Sequence, residues 1–530
     1  MAVFAFAAAG HAEDISALAQ SNTQVRVANP ADALAADLPY KAAVKAPAPV
    51  NDDLCWHGIC LYGNFDMGLA YMQHGAPSSP MIGQIEPVEK NSNGAYFGVG
   101  SNQFSSSFIG LRGKQEVGDN LYAVFNLQTL FYPNSGMNQN GMGGIAQNNG
   151  LGAAPFLQTA NGYGDSSKGG QMFNNAAYFG ISSPVYGTFT MGRQSALTSD
   201  TIVNYDPLAG AGALSPITNE GLSGGGGVTE NRILDNSYEY RLNVGPVRLA
   251  AEMQVSSGGN SAPGNGYQGS VGFDYMGLSM DFVGSKIFDA FSDGAPLSSA
   301  QQNLLSQNNA GPAVGGLLPG GISNAIGCSL GCMSGTISDN TAFQIAAKYT
   351  IGPWKLFGGF EQIRFNNPNN PLNPGAFTEG GYNIAFINNS AYQTTRVENV
   401  FWVGARYSVT RDWDVTGAYY GYHQNSFVTV AATPATLFVN PGTTLQNATA
   451  SCSDASSAGC SGYMNAFSLA SDWRFARHFD FYAGVMYTEK AGGLANGYTL
   501  TFSNANVAAT ANTFNKVSNV DVAAGLRYQF

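Results

Sequence analysis

The sequence predicts an all-β fold, a transmembrane antiparallel up-and-down β-barrel of sixteen strands. Apolar and polar residues alternate with a period of two along most of the chain, whereas the 3.6-residue period of helices is almost absent. The connections between the alternating segments differ sharply in length. Only 11% of the 530 residues are charged, against roughly 25% in an ordinary soluble domain. Together these observations favour a large β-architecture in which one face of each strand excludes ionised groups.

The composition excludes several classes of protein. With 23 basic and 34 acidic residues, the formal net charge is −11. The chain therefore lacks the positive surface of a basic nucleic-acid binder, and no nucleic-acid partner is expected. A content of 44% hydrophobic and 12% aromatic residues is foreign to disordered chains. Because no stretch approaches the ~20 consecutive apolar residues of a spanning helix, a bundle of membrane helices is excluded as well.

Sixteen extended segments can be marked along the chain. Seven of the connections between them are tight, and most of the others are long and rich in Gly, Asn, Ser and Pro. An even strand number, with short turns at one end and long loops at the other, is typical of an outer-membrane barrel whose short turns face the periplasm. The segments are 58–72, 103–116, 120–132, 172–183, 186–194, 232–242, 246–256, 265–275, 277–286, 341–350, 353–364, 395–409, 412–423, 462–475, 478–489 and 517–530.

The alternation separates two chemically different faces within a segment. In segment 395–409, Phe401 and Val403 have one parity, whereas Arg396 and Glu398 have the other. When charges are confined to one parity, the pattern indicates a wet interior and a lipid-facing exterior.

The N-terminus predicts export. Residues 1–12 form a short apolar run with a small-x-small ending that is similar to a signal-peptidase site, although the basic residues expected before such a run are missing. We interpret 1–12 as a truncated signal peptide, and the alternative is an Ala-rich N-terminus without a targeting role. Residues 13–53 are rich in Ala, Asp and Pro and predict a flexible periplasmic leader. The barrel itself is predicted over residues 54–530.

The six cysteines fit an exported protein. On a single extended strand, Cys55 and Cys60 would lie ~17 Å apart and on opposite faces. Either Cys55 therefore precedes the strand behind a bend, or the two cysteines stay unpaired. The five histidines are scattered, so no metal site is predicted. Two further pairs are candidates for disulfides that close short loops: Cys328 with Cys332, and Cys452 with Cys460.

Several segments resemble the Gram-negative general porins, and the resemblance covers nearly all of residues 58–530. Each matching stretch is short and glycine-based, so their order and spacing carry the resemblance. It implies a sixteen-stranded barrel, a homotrimer, and contact with outer-membrane lipid and lipopolysaccharide. The C-terminal stretch with Tyr528 and Phe530 resembles the family's assembly signal, which implies the barrel-assembly machinery as a partner. The stretches are 61–66 (LYGNFD), 107–113 (SFIGLRG), 177–180 (AYFG), 187–194 (GTFTMGRQ), 236–240 (NSYEY) and 525–530 (GLRYQF).

The resemblance also implies a constriction inside the barrel. In such porins the third long loop folds into the lumen and places acidic side chains opposite basic ones on the wall; by position this loop is 195–231, which contains no Lys or Arg. Opposed charges across a narrow waist order water and favour polar solutes. The alternative is that the acidic residues are ordinary solvated loop carboxylates. The acidic candidates are Asp200, Asp206, Glu220 and Glu230, and the basic wall candidates are Arg112, Lys114, Arg193 and Arg232.

The chain departs from the family pattern at several points, among them Phe108, Arg193, the spacing after Arg232 and the tip of the third loop. Phe108 stands where many porins carry a further wall arginine, which shortens the expected basic ladder. Arg193 shares the parity of Phe189 and Met191. It can point inward only if the strand bulges or ends near Gly192.

These features predict a water-filled channel for the passive diffusion of small hydrophilic solutes and ions, with no cofactor and no catalysis. One alternative is a solute-selective porin for a sugar or an organic anion, with loops 287–340 and 424–461 as gates. Another is a surface adhesin or structural β-barrel protein. A hydrolase would need a Ser, a His and an acid brought together. His423 and His478 lie on segments without such a motif, so no enzyme is predicted.

Overall fold

The computed structural model describes residues 54–73, 95–134, 136, 138, 172–218, 233–255, 265–296, 333–367, 375–379, 382–389, 395–427, 444–446, 461–492, 501–503 and 516–530. None of the helices in these ranges has the length and hydrophobicity that a membrane-spanning helix requires.

Sixteen antiparallel strands form a closed barrel, which confirms the predicted fold class and all sixteen predicted segments. Five short strands lie outside the wall: β1 (Leu54–Trp56), β14 (Gly375–Glu379), β15 (Tyr382–Asn389), β18 (Thr444–Gln446) and β21 (Thr501–Ser503). The wall strands are β2 (Ile59–Met72), β3 with β4 (Tyr96–Ser101 and Ser107–Gly118), β5 (Leu121–Phe131), β6 (Ala176–Ser183), β7 (Gly187–Ser195), β8 (Ile233–Val244), β9 (Val247–Gln254), β10 (Gly266–Tyr275), β11 (Leu278–Pro296), β12 (Met333–Ile351), β13 (Trp354–Asn366), β16 (Arg396–Ser408), β17 (Trp413–Gln424), β19 (Gly462–Ala476), β20 (Phe479–Gly492) and β22 (Lys516–Gln529).

The structure departs from the predicted segments in two places. The second predicted segment, 103–116, begins too early, because residues 102–106 leave the wall between β3 and β4, which both pair with β2. Strands β11 and β12 are longer than predicted and pair with each other as far as Pro296 opposite Met333. They therefore continue past the ends of their other barrel neighbours.

The tight turns gather at one end of the barrel, as the sequence predicts. Asp119 and Asn120 join β4 to β5 with φ values of 48° and 59°, and Met276 and Gly277 join β10 to β11 with 47° and 83°. Positive φ at both central residues matches the twist of an antiparallel hairpin. At Gly277 a side chain would also meet the backbone of β12, because a Cβ there would lie 2.8 Å from Thr350 O.

The barrel is apolar outside and polar inside. Phe401 and Val403 are exposed on the outer surface of β16, whereas Arg396 and Glu398 of the same strand are buried. The same inversion holds along the other wall strands, whose exposed residues include many large apolar side chains and whose buried residues include many carboxylates and amides. This distribution confirms the predicted lipid face and wet face.

A disulfide-bonded hairpin precedes the first wall strand. Strand β1 pairs with the first residues of β2, and Cys55 is bonded to Cys60 across this pair. The turn at His57 and Gly58 supplies the bend, so Cys55 lies before the strand, which was one of the two alternatives from the sequence. The predicted signal peptide (1–12) and leader (13–53) lie outside the described residues, as do Cys328, Cys332, Cys452 and Cys460.

The hairpin meets the barrel seam at the short-turn end. Strand β22 pairs with β2, and Phe530 exchanges backbone hydrogen bonds with Gly63 at the end of this pairing. The rings of Tyr528 and Phe530 stack at 5.8 Å. Strand β1 covers the part of the β2 edge that β22 does not reach. Because a sheet edge in lipid would leave backbone groups without hydrogen bonds, this short strand completes the closure.

Candidate functional site

The third long loop lies inside the barrel. It leaves the wall after β7, forms the helix α1 (Leu197–Tyr205) and continues to a 3-10 turn at Pro216–Thr218. Residues 196–218, here called the inner loop, contact the lumen side of the wall from β8 round to β20. Eight of the nine residues of α1 are buried. The loop therefore occupies part of the lumen and narrows it.

Wall side chains hold the start of α1. Ala196, at the N-cap position, has no side-chain oxygen to cap the helix. Instead, the Glu252 carboxylate accepts a hydrogen bond from Leu197 N at 3.2 Å, and Gln268 Oε1 accepts one from Thr198 N at 3.1 Å. The carboxylate also lies at the positive end of the helix dipole. Strands β9 and β10 thus position the helix where its own sequence cannot cap it.

Asp200 forms an ion pair with a wall arginine. Arg241 Nη2 donates to Asp200 Oδ2 at 2.5 Å, and Arg241 Nε donates to Glu239 Oε1 at 2.6 Å. Burial is the main cause that raises the pKa of Asp200 from 3.8 to about 7; Arg241 opposes the rise and Glu239 adds to it. The charge of the inner loop therefore changes near neutral pH.

Three strands hold the end of α1. Arg248 Nη2 donates to the Tyr205 hydroxyl at 2.9 Å, and Trp402 Nε1 donates to the Tyr205 carbonyl at 2.9 Å. Lys348 Nζ donates to the Asn204 carbonyl at 3.1 Å. A lysine suits this position because the carbonyl groups at a helix C-terminus carry partial negative charge.

Beyond α1, the inner loop is anchored to β16 and β17. Tyr420 Oη donates to Asp206 Oδ1 at 2.6 Å, and Arg406 Nη2 donates to the Pro207 carbonyl at 2.7 Å. Asp206 is buried, and that burial raises the pKa of its carboxyl. Asp206 therefore acts here as a buried anchor, whereas Asp200 lies in a cluster of charges.

The last part of the inner loop packs against apolar and aromatic side chains. Ser468 Oγ donates to the Leu214 carbonyl at 2.6 Å. A Cβ at Gly484 would lie 2.4 Å from Leu214 Cδ1, so β20 accommodates the loop by having glycine there. The buried cluster contains Leu208, Leu214 and Ile217 from the loop and Trp402, Tyr420 and Tyr482 from the wall.

A second inward element is formed by residues 102–106, here called the inner knob. The buried Asp66 carboxylate of β2 accepts hydrogen bonds from Phe104 N at 3.0 Å and from Ser105 N at 2.7 Å. It also accepts one from Tyr482 Oη at 2.5 Å. This wall carboxylate, together with the Asn64 amide that donates to Ser105 Oγ and Ser106 O, therefore holds the knob in the lumen.

The inner knob receives the inner loop. Ala213 N of the loop donates to Gln103 O of the knob at 2.8 Å, and the Phe104 ring stacks on Tyr482 at 4.9 Å. Sequence analysis missed this element because the knob falls within a predicted strand. The available signal was the run of Asn and Ser over 102–107, since these residues favour turns over strands.

The described basic candidates lie in different surroundings. Arg112 lies over the ring of Tyr62 at 4.9 Å, and Lys114 Nζ lies over Tyr122 at 4.1 Å. Phe108, on the same strand, is buried inside the barrel. Arg232, Glu220 and Glu230 lie outside the described residues.

Arg193 is turned by a bulge. The pairing of β7 with β8 shifts register between Gly192 and Gln194, and Gly192 has a φ of +132°. Arg193 is consequently buried and pairs with Asp235, so the condition that the sequence set for its inward position is met.

Among the described residues, the wall cations that contact the inner loop are Arg241, Arg248, Lys348 and Arg406, none of which was a wall candidate from the sequence. Arg241 and Glu239 share one parity of a predicted segment. That shared parity was a usable signal for a charged pair inside the barrel. Among the described residues, no three His, Cys, Asp or Glu side chains are grouped as metal ligands would be.

Comparison with known proteins identifies the family. A family model described as Gram-negative porin matches residues 2–451, and the chain belongs to that family. An outer membrane porin protein of Bordetella pertussis is 27% identical over 154 residues, which cover 29% of this chain and 32% of the relative. The chain thus spans about a third of the length of the curated relative that it matches.

A solved porin structure shares the fold. The anion-selective porin from Comamonas acidovorans has a TM-score of 0.51 and 17% identity, and the match covers 89% of this chain and 99% of that one. OmpT of Vibrio cholerae has a TM-score of 0.47 and 13% identity, with 90% and 100% covered. The protein is therefore an outer-membrane β-barrel, and its family and fold are those of a channel rather than of an enzyme.

Proposed function

We propose that this Gram-negative porin is a water-filled channel through which small hydrophilic solutes and ions diffuse passively across the outer membrane. The inner loop carries the proposal. It is bound to the lumen side of the wall at both ends of α1 and again at Leu214. A loop held at fixed positions inside a barrel sets the width of a passage, whereas an adhesin would present its loops outward.

The lining of the lumen supports a passage for polar solutes. Buried carboxylates and guanidinium groups line the inner wall, while large apolar side chains cover the outside. Fixed charges of both signs beside a narrow passage orient water and favour dipolar solutes over apolar ones. No cofactor takes part in the proposed activity, because diffusion down a gradient involves no chemical step.

The charged residues predicted from the sequence are part of the proposal. Among the acidic candidates, Asp200 is the one that the inner loop presents beside Arg241 and Glu239. We expect this cluster to set the field at the constriction. The full proposed set is Asp200, Asp206, Glu220 and Glu230 with Arg112, Lys114, Arg193 and Arg232.

Reconstitution in a planar lipid bilayer tests the channel. The detergent-purified protein should insert with stepwise, ohmic current increases, and liposomes that contain it should swell in small sugars but not in large polysaccharides. A matched control is the same preparation after heat denaturation. A bilayer that stays silent, with liposomes that do not swell, would contradict the channel and favour an adhesin or structural barrel.

The partners of the channel are proposed from the family. We expect a homotrimer in outer-membrane lipid and lipopolysaccharide, with insertions in groups of three current steps and a threefold mass in native mass spectrometry. Tyr528 and Phe530 are proposed to be read by the barrel-assembly machinery. Deletion of Phe530 should lower the amount of protein in the outer membrane, and a single step per insertion would contradict the trimer.

A further inference from the structure

A shallow, open cavity of about 340 Å³ lies at the short-turn end of the barrel, against the inner wall below α1. Strands β10 to β13 and the turn between β10 and β11 form it. The alternation of these strands places five of its side chains on the lumen side: Asp274, Ser279, Lys348, Thr350 and Lys355. A solute that passes the inner loop would reach this cavity before the periplasm.

Cations are concentrated at this cavity. Lys355 lies directly opposite Arg406 in the pairing of β13 with β16, and Lys348 lies opposite Phe357 in the pairing of β12 with β13. Lys355 Nζ and Arg406 Cζ lie 5.3 and 5.6 Å from the centre of the same Phe357 ring. Like charges on directly opposed residues repel each other. An anion between them would relieve that repulsion.

The one carboxylate of the cavity lining is engaged by an arginine. Asp274 forms an ion pair with Arg248, which also contacts Asp281 at 2.7 Å. Among the residues that line the cavity, Lys348 and Lys355 stand against Asp274, which gives 2 − 1, a net charge of +1. The cavity therefore has a positive side formed by the lysines and a neutralised side formed by the Asp274 pair.

Hydroxyl groups and the position of α1 complete the site. Thr350 and Ser279 place hydroxyls at the edge of the cavity, and hydroxyl and ammonium donors are the groups that bind carboxylate and phosphate oxygens. Lys348 Nζ is 3.1 Å from the Asn204 carbonyl at the end of α1. The cavity is thus in direct contact with the constriction.

We infer that this cavity is a binding site for small oxyanions, carboxylates or phosphates, at the periplasmic exit of the constriction. Such a site would raise the local concentration of permeating anions just below the narrowest part of the channel. The inference rests on the proposed channel for its role in transport, but binding itself does not require conduction.

Equilibrium binding and channel block test the inference together. Detergent-solubilised protein is titrated calorimetrically with inorganic phosphate and with succinate, and the same anions are added to the short-turn side of a bilayer that carries the channel. The double variant Lys348→Gln with Lys355→Gln should bind both anions at least ~10-fold more weakly and lose the block. The charge-preserving variant Lys348→Arg with Lys355→Arg should retain binding, which separates charge from folding.

Lys516→Gln is the matched control, because Lys516 is 58% exposed and lies on β22 far from the cavity. It should bind both anions as the unaltered protein does. Equal anion binding by the unaltered protein and the Gln double variant would overturn the site. A silent bilayer with retained, lysine-dependent binding would instead overturn the proposed function and leave the site in place. A conducting channel that binds neither anion would overturn the site and leave the proposed function in place.

Discussion

The two halves of the inner loop are held by different forces. The first half, α1, is fixed by ion pairs and hydrogen bonds to β8–β12 and to Trp402 of β16, with Asp200 on Arg241 as the central contact. The second half, 206–218, is fixed mainly by apolar packing on β16–β20 and by the inner knob. Hydrogen bonds from Tyr420, Arg406 and Ser468 add to this packing. A partly exposed ion pair contributes little and responds to pH and salt, whereas buried apolar contacts respond to neither. We conclude that the second half sets where the loop lies and the first half sets its charge.

The largest effect should follow from weakening the apolar packing of the second half of the inner loop. Leu214→Ala removes a fully buried side chain, and such truncations cost roughly 2–5 kcal/mol. We expect the second half of the inner loop to detach from the wall, and single-channel conductance and the exclusion limit in liposome swelling to rise. Leu469→Ala is the matched control, because Leu469 is 56% exposed on the lipid face, while Leu214 is 0% exposed. Equal conductance in both variants would mean that this half does not position the loop.

A somewhat smaller effect should follow from releasing the inner knob. Asp66→Asn removes the charge that two backbone N–H groups and Tyr482 contact. Because the Asn amide oxygen still accepts hydrogen bonds, the loss is the difference between charged and neutral hydrogen bonds, about 1 kcal/mol each. We expect noisier single-channel currents and unfolding at a lower temperature on heated SDS gels. Asp412→Asn, in an exposed turn, is the control. Steady currents in Asp66→Asn would show that the knob does not need its carboxylate.

A modest effect on ion selectivity should follow from changing the ionisation of Asp200 in the first half of the inner loop. With a pKa of about 7, Asp200 goes from about one tenth to about nine tenths ionised between pH 6 and pH 8. Reversal potentials in a salt gradient should therefore shift toward cations as pH rises, and Asp200→Asn should remove this part of the shift.

The titration of Asp200 also makes the stability of the folded protein depend on pH. The folded protein holds the Asp200 proton more tightly than the unfolded chain, whose carboxyl has the ordinary value of 3.8. The associated stabilisation is therefore complete below that value and is lost as pH rises through about 7. Conductance should change little over this range, because the apolar half keeps the loop in place. A large change in conductance with pH would contradict the division between the two halves.

The smallest effect on the channel should follow from removing the disulfide that joins β1 to β2 at the barrel seam. The Cys55–Cys60 bond lies outside both halves of the inner loop, and closing so short a loop contributes ~2 kcal/mol. The double variant Cys55→Ser with Cys60→Ser should unfold at a lower temperature on heated gels but conduct like the unaltered protein. Altered conductance in this variant would show that the seam also positions the lumen elements.

Much of the wall could be predicted from the sequence, because strand alternation is a local property. The outward position of Val403 and the inward position of Glu398 follow from parity alone. The inward position of Arg193 could be predicted only on the condition that its strand bulges or ends near Gly192. The inner knob was missed because its Asn and Ser residues were outweighed by apolar alternation on both sides.

The sequence by itself determined the barrel, its sixteen strands, the end that carries the short turns, and which loop is placed to enter the lumen. Only the tertiary structure decided which wall residues meet that loop. Tyr205 and Trp402 are 197 positions apart in the chain, and Leu214 and Ser468 are 254 apart. Parity tells which face of a strand is wet. The contacts between lumen-facing residues depend on how the closed barrel places distant strands around one lumen. A local sequence pattern carries no information about residues so far apart in the chain.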